Sequence, residues 1–352
     1  MSSTMTADVA PQPAQDERVA RRSLLSRLLT RPEVGALLGA IVIYIVFFAV
    51  APPFRDLGSL ATILYVSSTF GIPAVAVALL MIGGEFDLSA GVAVTSSALM
   101  ASMFSYQFTT NMWVGVFVSL VVALAIGFIN GYLVVKTGIP SFLITLGTFF
   151  MIRGLNLAVT KAVTGNVGTD DVSNISGFSS AEKVFASTFT IGGVAIRITV
   201  LWWLLFVLIA TWVLLRTHLG NWIFAVGGSA PSSRAVGVPV NKVKIGLFMT
   251  VAFTAWFTGT HILFAFNTVQ SGIGLGNEFI YIVAAVVGGC LLTGGYGSVI
   301  GAAIGAFIFG MTNQGIVYAG WNPDWFYFFL GALLLGAILL NTWVRQRAEA
   351  MR

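Results

Sequence analysis

Residues 112–135 read MWVGVFVSLVVALAIGFINGYLVV, a run of 24 residues without a charge. A helix of that length covers the ~30 Å hydrocarbon core of a bilayer. No water is available there, so each backbone N–H and C=O must find its partner inside the segment, and a helix supplies those partners. Working outward, similar runs fall near 34–52, 60–82, 88–107, 139–160, 197–215, 243–266, 279–293, 298–317 and 325–343. The pattern predicts an all-α integral membrane protein with about ten transmembrane helices. The eighth run is short and ends among Gly288-Gly289 and Gly294-Gly295, so its end stays open. The stretch 161–196 is polar and rich in Ser, Thr and Gly, and is expected to hold a short helix or hairpin outside the membrane.

Composition agrees. Hydrophobic residues make up 57% of the 352 and charged residues 9%, against about 25% charged in soluble domains. A soluble fold could not hide so much apolar surface. The 39 glycines suit closely packed spanning helices. Residues 1–31 are expected to be a disordered basic cytoplasmic region: 1–17 cannot build a core, and Arg18, Arg21, Arg22, Arg27 and Arg31 follow. Residues 32–345 form the transmembrane domain and 346–352 a cytoplasmic tail. Ala49-Val50-Ala51 imitates a signal-peptide cleavage site, but the leader would be long and Pro52-Pro53 follows directly, so a retained first span is expected.

Basic residues orient the chain. With the N-terminus in the cytoplasm, 13 of the 18 Lys and Arg fall on the inner side, and Arg55, Lys161, Lys183 and Arg197 on the outer side. Both termini are then cytoplasmic. The positive charge reads as a topology signal, with no nucleic-acid footprint.

Two segments resemble each other. Gly83-Gly84-Glu85-Phe86 precedes the third run and Gly276-Asn277-Glu278-Phe279 the eighth. Gly127-Phe128-Ile129-Asn130 is followed by Pro140, and Gly310-Met311-Thr312-Asn313 by Pro323, ten residues after each Asn. On the expected topology Glu85 lies near the inner face and Glu278 near the outer, so the halves are inverted. Inverted repeats are a transporter signature, with the pathway at the repeat interface.

Glu85, Asp87 and Glu278 stand at Gly-containing helix starts, where the plainer role is capping or structural pairing; Asp87 or Ser89 suits a cap. The functional alternative is contact with a passing solute, and Glu85, Asp87, Ser89, Asn130, Arg153, Asn156, Glu278 and Asn313 are the pathway candidates. Arg153 is a candidate partner for Glu85 or Glu278. Asn130, Asn313 and Gln314 are otherwise interhelical hydrogen-bonding groups. Gly297, Gly301 and Gly305 recur every four residues, a packing stripe. The lone Cys290 is a small packing residue. His218 and His261 are far apart, and no metal cluster, P-loop, dinucleotide fingerprint or triad occurs in the sequence. Any ATP and Mg would belong to another chain.

The stretch 216–244 is too long for a turn and too hydrophobic for a disordered linker. Ser229 or Ser232 is placed to cap a short helix, with Pro231 in its first turn and Gly237 after its end. Such a helix either docks into a partner's groove or lies on the lipid surface.

Three segments carry a resemblance to a known family. GGEFDLSAG (83–91), the stretch 220–244 and AAVVGGCLLTGGYGSVIGAAIG (284–305) resemble the motifs of permease subunits of bacterial ribose-type sugar ABC importers. The likeness covers roughly 34–343. It implies about ten spans, a second permease copy, and a loop docking onto ABC ATPase subunits through Gly227, Gly228, Ser232, Arg234 and Gly237. It also implies an extracytoplasmic solute-binding protein and a place in the bacterial inner membrane. Two departures stand out: Glu85-Phe86 lengthens the first motif, and Ala230-Pro231-Ser232 replaces an acidic, alanine-rich helix start. The expected function is ATP-driven import of a monosaccharide or related polyol by alternating access. The competing readings are a stand-alone secondary transporter or facilitator, which would want a coupling-ion site, and a membrane-embedded enzyme, which would want a nucleophile or metal constellation.

Overall fold

The helix over Ser141–Thr164 reveals the solvent in which this chain folds. It buries Ser141, Thr145, Ile152, Asn156 and Thr160, which share one face at helical spacing. It exposes Phe142, Leu143, Phe150, Met151 and Leu155. Polar groups point inward and large apolar ones outward, the reverse of a helix packed in water. Lipid makes that arrangement stable.

The computed structural model describes residues 32–108 and 111–350. The basic region expected over 1–31 lies outside them, as do the last two residues of the expected tail. The helices are α1 (Pro32–Val50), α2 (Leu57–Ile82), α3 (Ala90–Gln107), α4 (Met112–Thr137), α5 (Ser141–Thr164), α6 (Phe178–Phe185), α7 (Thr199–Arg216), α8 (His218–Gly228), α9 (Ala230–Ala235), α10 (Val240–Phe266), α11 (Asn277–Val287), α12 (Val299–Tyr318) and α13 (Trp325–Ala350). One antiparallel hairpin, β1 (Thr188–Ile191) with β2 (Val194–Arg197), pairs Thr188 with Arg197 and turns at Gly192-Gly193. The stretch 161–196 therefore holds both the short helix α6 and most of a hairpin. The chain is an all-α integral membrane protein apart from this ornament.

Among the described residues, seven helices (α1, α2, α4, α5, α7, α10 and α12) are long and apolar enough to cross a membrane. The expected span 88–107 becomes α3, 18 residues broken up by Ser, Thr and Ala. The expected span 279–293 shrinks to the 11 residues of α11. Its helix stops at Gly288, and Gly289, Gly294 and Gly295 all take positive φ, which ends helical winding and folds the chain back. The apolar part of α13 is Trp325–Leu339.

Two helices occupy the middle. From Ser67 onward α2 is almost wholly buried, and α10 is buried along most of its length. A helix apolar on every side requires neighbours on every side. α10 packs on α4 and α3, α2 packs on α12 and α11, and the two central helices touch each other. The face α4 turns inward is a stripe of small residues (Gly115, Ser119, Ala123, Gly127, Gly131), which lets backbones approach. Gly301 and Gly305 do the same on α12, against Gly288 and Ala284 at the end of α11. Gly297 does not extend that stripe. It lies in the loop before α12, where a β-carbon would meet Cys290 Sγ at 2.6 Å.

Candidate functional site at the two helix breaks

The first break, Gly83–Ser89, separates α2 from α3 and is held from both sides. Phe86 N–H donates to Ser141 Oγ at 3.0 Å and Leu88 N–H to Thr145 Oγ1 at 3.1 Å. The polar stripe of α5 thus satisfies backbone donors that the break leaves without helical partners. The Asp87 carboxylate accepts from Ser89 N–H at 2.8 Å and from the Ser89 hydroxyl at 2.6 Å. Asn130 of α4 donates its amide to Ser89 Oγ at 2.8 Å. Three pathway candidates (Asp87, Ser89 and Asn130) therefore form one buried chain of hydrogen bonds. Asn156, a fourth, fastens α5 to α3: it accepts from Ser96 Oγ at 2.6 Å and donates to the Val92 carbonyl at 3.2 Å.

Two expectations need correction, a cap at Ser89 and Arg153 as the partner of Glu85. Ser89 precedes α3 but makes no side-chain cap: its oxygen accepts from the Asn130 amide while its proton goes to Asp87. Glu85 is structurally paired, but its partner is Lys244 of α10 and not Arg153. Asn313 belongs to neither break. It stands on α12, where it accepts from its neighbour Gln314 at 3.0 Å.

The second break, 267–276, separates α10 from α11 and meets α3. Gly274 N–H donates to Thr95 Oγ1 at 2.9 Å. Glu278, in the first turn of α11, reaches back and accepts from the N–H of the cap residue Gly276 at 3.2 Å, satisfying a donor at the helix start. Its other oxygen, Oε2, is buried and has no hydrogen-bond partner among the described residues. That oxygen fills the space beside Gly91 at the start of α3. The charge of Arg153 acts on Glu278 from a distance, without an ion pair among the described residues.

A third segment joins the first break at one end of the bundle. Ser229 caps α9 by accepting from Ser232 N–H at 3.3 Å, Pro231 sits in its first turn, and Gly237 turns the chain with φ +88°. Arg234 donates to Asn241 Oδ1 at 3.3 Å. Just before α9, Gly227 and Gly228 close α8 and press on two other glycine pairs. A β-carbon at Gly227 would collide with the Ile82 carbonyl oxygen at the end of α2. One at Gly294 would stand 2.7 Å from Gly84 Cα, and one at Gly295 would stand 2.9 Å from Gly228 Cα. Gly295 N–H also donates to that same Ile82 carbonyl at 2.8 Å. Gly83-Gly84, Gly227-Gly228 and Gly294-Gly295 thus meet at one backbone junction, where Gly227, Gly294 and Gly295 have no room for a β-carbon.

Beyond the breaks, a cavity of about 270 Å3 lies between α2, α10 and α11; its walls include Tyr65, Thr69, Phe70, Thr258, Asn277 and Tyr281. The sequence reading passed over these residues, and Lys244, Ser141 and Thr145 as contacts. The Ser141/Thr145 pair carried a signal, two hydroxyls four residues apart on an otherwise apolar helix. The cavity residues carried none, since they are brought together from three separate helices.

The chain resembles characterised membrane proteins over nearly its whole length. It is 30% identical to the probable ABC transporter permease protein YphD of Escherichia coli K12, over 98% of this chain and 99% of that protein. It is 27% identical to the fructose import permease protein FrcC of Rhizobium meliloti, over 97% and 94%. It is 29% identical to the ribose import permease protein RbsC of Escherichia coli K12, over 88% and 93%. No solved structure matches it. Residues 59–338 match the model of the branched-chain amino acid transport system / permease component family, and the chain belongs to that family of membrane-embedded translocation subunits.

Proposed function

We propose that this chain is the translocation subunit of an ATP-driven importer of a monosaccharide or related polyol. It pairs with a second permease copy in the bacterial inner membrane, both termini in the cytoplasm. An extracytoplasmic binding protein delivers the solute on one side. ABC ATPase subunits, carrying ATP and Mg, dock on the other side through the 216–244 segment, with Gly227, Gly228, Ser232, Arg234 and Gly237 at the contact. The ten helices other than α6, α8 and α9 then form two inverted halves, a reading supported by how α12 lies on α2 as α4 lies on α10.

The observation that carries the proposal is the glycine junction. α9 is six residues long, with Ser232 and Arg234 exposed. A push on α9 reaches Gly227-Gly228 within a few residues, and from there the Ile82 carbonyl and Gly295. Those two points are the entry to the first break and the loop leading into α12. One displacement therefore acts on both halves together, as alternating access requires. Glu85, Asp87, Ser89, Asn130, Arg153, Asn156 and Glu278 surround the moving backbone, and their role is to hold it in one arrangement or the other; Asn313 is left to interhelical packing.

The test is co-expression with the candidate ATPase chains, comparing the intact permease with one lacking 229–237. The deletion is expected to abolish co-purification of the ATPase and the stimulation of ATP hydrolysis. Unchanged co-purification and coupling would sink the proposal.

A further inference from the structure

The two central helices are bridged near both ends, and different parts of the molecule stand behind each bridge. α2 and α10 precede the two breaks, so they belong to opposite halves of the proposed repeat. Near its start α10 carries Lys244, ion-paired with Glu85 just past the end of α2. Near its other end it carries His261, fully buried and hydrogen-bonded to Tyr65 of α2. His261 stands 17 positions after Lys244, about 25 Å along a helix. Among the described residues these are the two polar side-chain links between α10 and α2 with its following break. Halves that rock against each other in alternating access have to break such links in turn.

The His261 link is tied to a third element. His261 Nδ1 lies 2.8 Å from the Phe185 carbonyl at the end of α6, which can only accept, so Nδ1 carries the proton. In the neutral ring Nε2 is then the acceptor, and the Tyr65 hydroxyl, 3.1 Å away, donates to it. One side chain of α10 therefore holds α6 with one nitrogen and α2 with the other. Helix ends leave their last carbonyls without helical partners. At α6 three elements divide those carbonyls. Trp202 Nε1 of α7 donates to Val184 O at 2.8 Å, His261 of α10 to Phe185 O, and Arg197 Nη1 of β2 to Ala186 O at 3.3 Å. Arg197 also places its guanidinium 5.6 Å from the centre of the Tyr65 ring.

α6 and the hairpin after it form one unit seated on both central helices. Phe178, Ala181 and Phe185 make its buried face. The Phe185 ring stacks on Phe264 of α10 at 5.8 Å, and β2 packs on α2. The other side of the unit is open, with Lys183 and the hairpin turn Ile191-Gly192-Gly193 exposed. At the opposite end of α10, the Glu85–Lys244 pair follows directly on Gly83-Gly84 of the glycine junction. One link is thus backed by a segment that a partner can reach, and the other by the junction next to α9.

We propose that Tyr65–His261 is a latch between the two halves, which holds α2 and α10 in the arrangement described until the α6–hairpin unit moves, while Glu85–Lys244 pins the same helices at the junction end. This rests on the importer reading given above and adds a release point at the end away from the ATPase segment. A bond made in only one arrangement favours that arrangement, so its loss moves the population toward the other. The test uses the complete transporter in liposomes, permease with ATPase and binding protein. It reads ATP hydrolysis with and without the binding protein, in a mixture of ribose, fructose and galactose. Tyr65→Phe keeps the ring and removes only the hydroxyl; His261→Phe keeps a ring and removes both bonds. Hydrolysis without the binding protein is expected to rise about threefold in Tyr65→Phe and about tenfold in His261→Phe, and stimulation by the binding protein to shrink by the same factors. A residue with a merely structural role would lower hydrolysis in both conditions, so the rise separates the two roles. Where His261→Phe does not assemble, Tyr65→Phe decides alone. Hydrolysis unchanged or lowered in Tyr65→Phe, beside a parent that responds to the binding protein, would overturn the latch and leave the importer reading intact. A parent whose hydrolysis does not respond to the binding protein would overturn the importer reading and this inference together.

Discussion

Glu85 and Glu278 occupy matching places in sequence, two residues after Gly83 and Gly276 and one before phenylalanine, and the fold treats them differently. Glu85 is ion-paired with Lys244, in a break whose backbone is pinned by Ser141 and Thr145 and whose entry is locked into the glycine junction. Glu278 spends one oxygen on Gly276 N–H and leaves the other unmet, in a break that borders a cavity. On the proposed inverted repeat, the difference teaches how two matching segments can be given different surroundings. The first is tied down wherever it can be tied, as the proposed coupling through the glycine junction requires. The second retains an unmet carboxylate oxygen and borders free volume. Each prediction below asks whether that difference is real.

The largest effect is expected at the anchor. Gly227→Val places a branched side chain where the Ile82 carbonyl and Gly295 N–H already meet backbone. Overpacking of this kind costs about 3 kcal/mol or more when the neighbours are backbone and cannot yield. The variant should lose thermal stability in detergent and lose stimulation of the partner ATPase. Gly276→Ala, at the second break, has open space around its β-carbon and only the strain of φ +86° to bear, about 1 kcal/mol. Equal losses from the two variants would erase the contrast.

The ion pair comes next. Glu85→Gln leaves the Lys244 ammonium without its counter-charge. Removing one member of a buried pair costs about 3–5 kcal/mol, but the side chains are 20% and 8% exposed, so about 2 kcal/mol is the expected loss here. Glu85→Gln combined with Lys244→Met should recover at least half of it, since no charge is then stranded. A double variant as unstable as the sum of its parts would show that Glu85 acts through something other than Lys244.

Much of this architecture was legible before the structure was seen. Hydropathy placed the long helices within a few residues, and Ser229, Pro231 and Gly237 marked α9 because capping and turn chemistry are local. The three glycine pairs were visible as motifs, but their convergence was not, because it joins residues about 70 to 210 positions apart. Lys244 was read as a topology charge on a loop, and its side chain instead turns inward from the first turns of α10. Capping expectations failed at Ser89 for a related reason. The rule concerns one helix end, and here a tertiary partner, Asn130, claims the hydroxyl from another helix.

The smallest effect is expected at Glu278. Glu278→Gln keeps the size and keeps an oxygen for Gly276 N–H, and it removes a charge that has no ion pair. The change should cost less than about 1 kcal/mol, because little favourable interaction is lost and a buried charge is relieved. Measured beside Glu85→Gln under one set of conditions, it should leave the melting midpoint closer to the parent. A loss as large as that of Glu85→Gln would mean that the charge on Glu278 is used. Arg153 is then the only cation whose field reaches it among the described residues. Arg153→Gln would have to cost the same, and Arg153→Glu with Glu278→Arg would have to restore stability. That result would turn the second break into an anchor like the first, and the two copies of the repeat would differ in their partners and no longer in how firmly they are held.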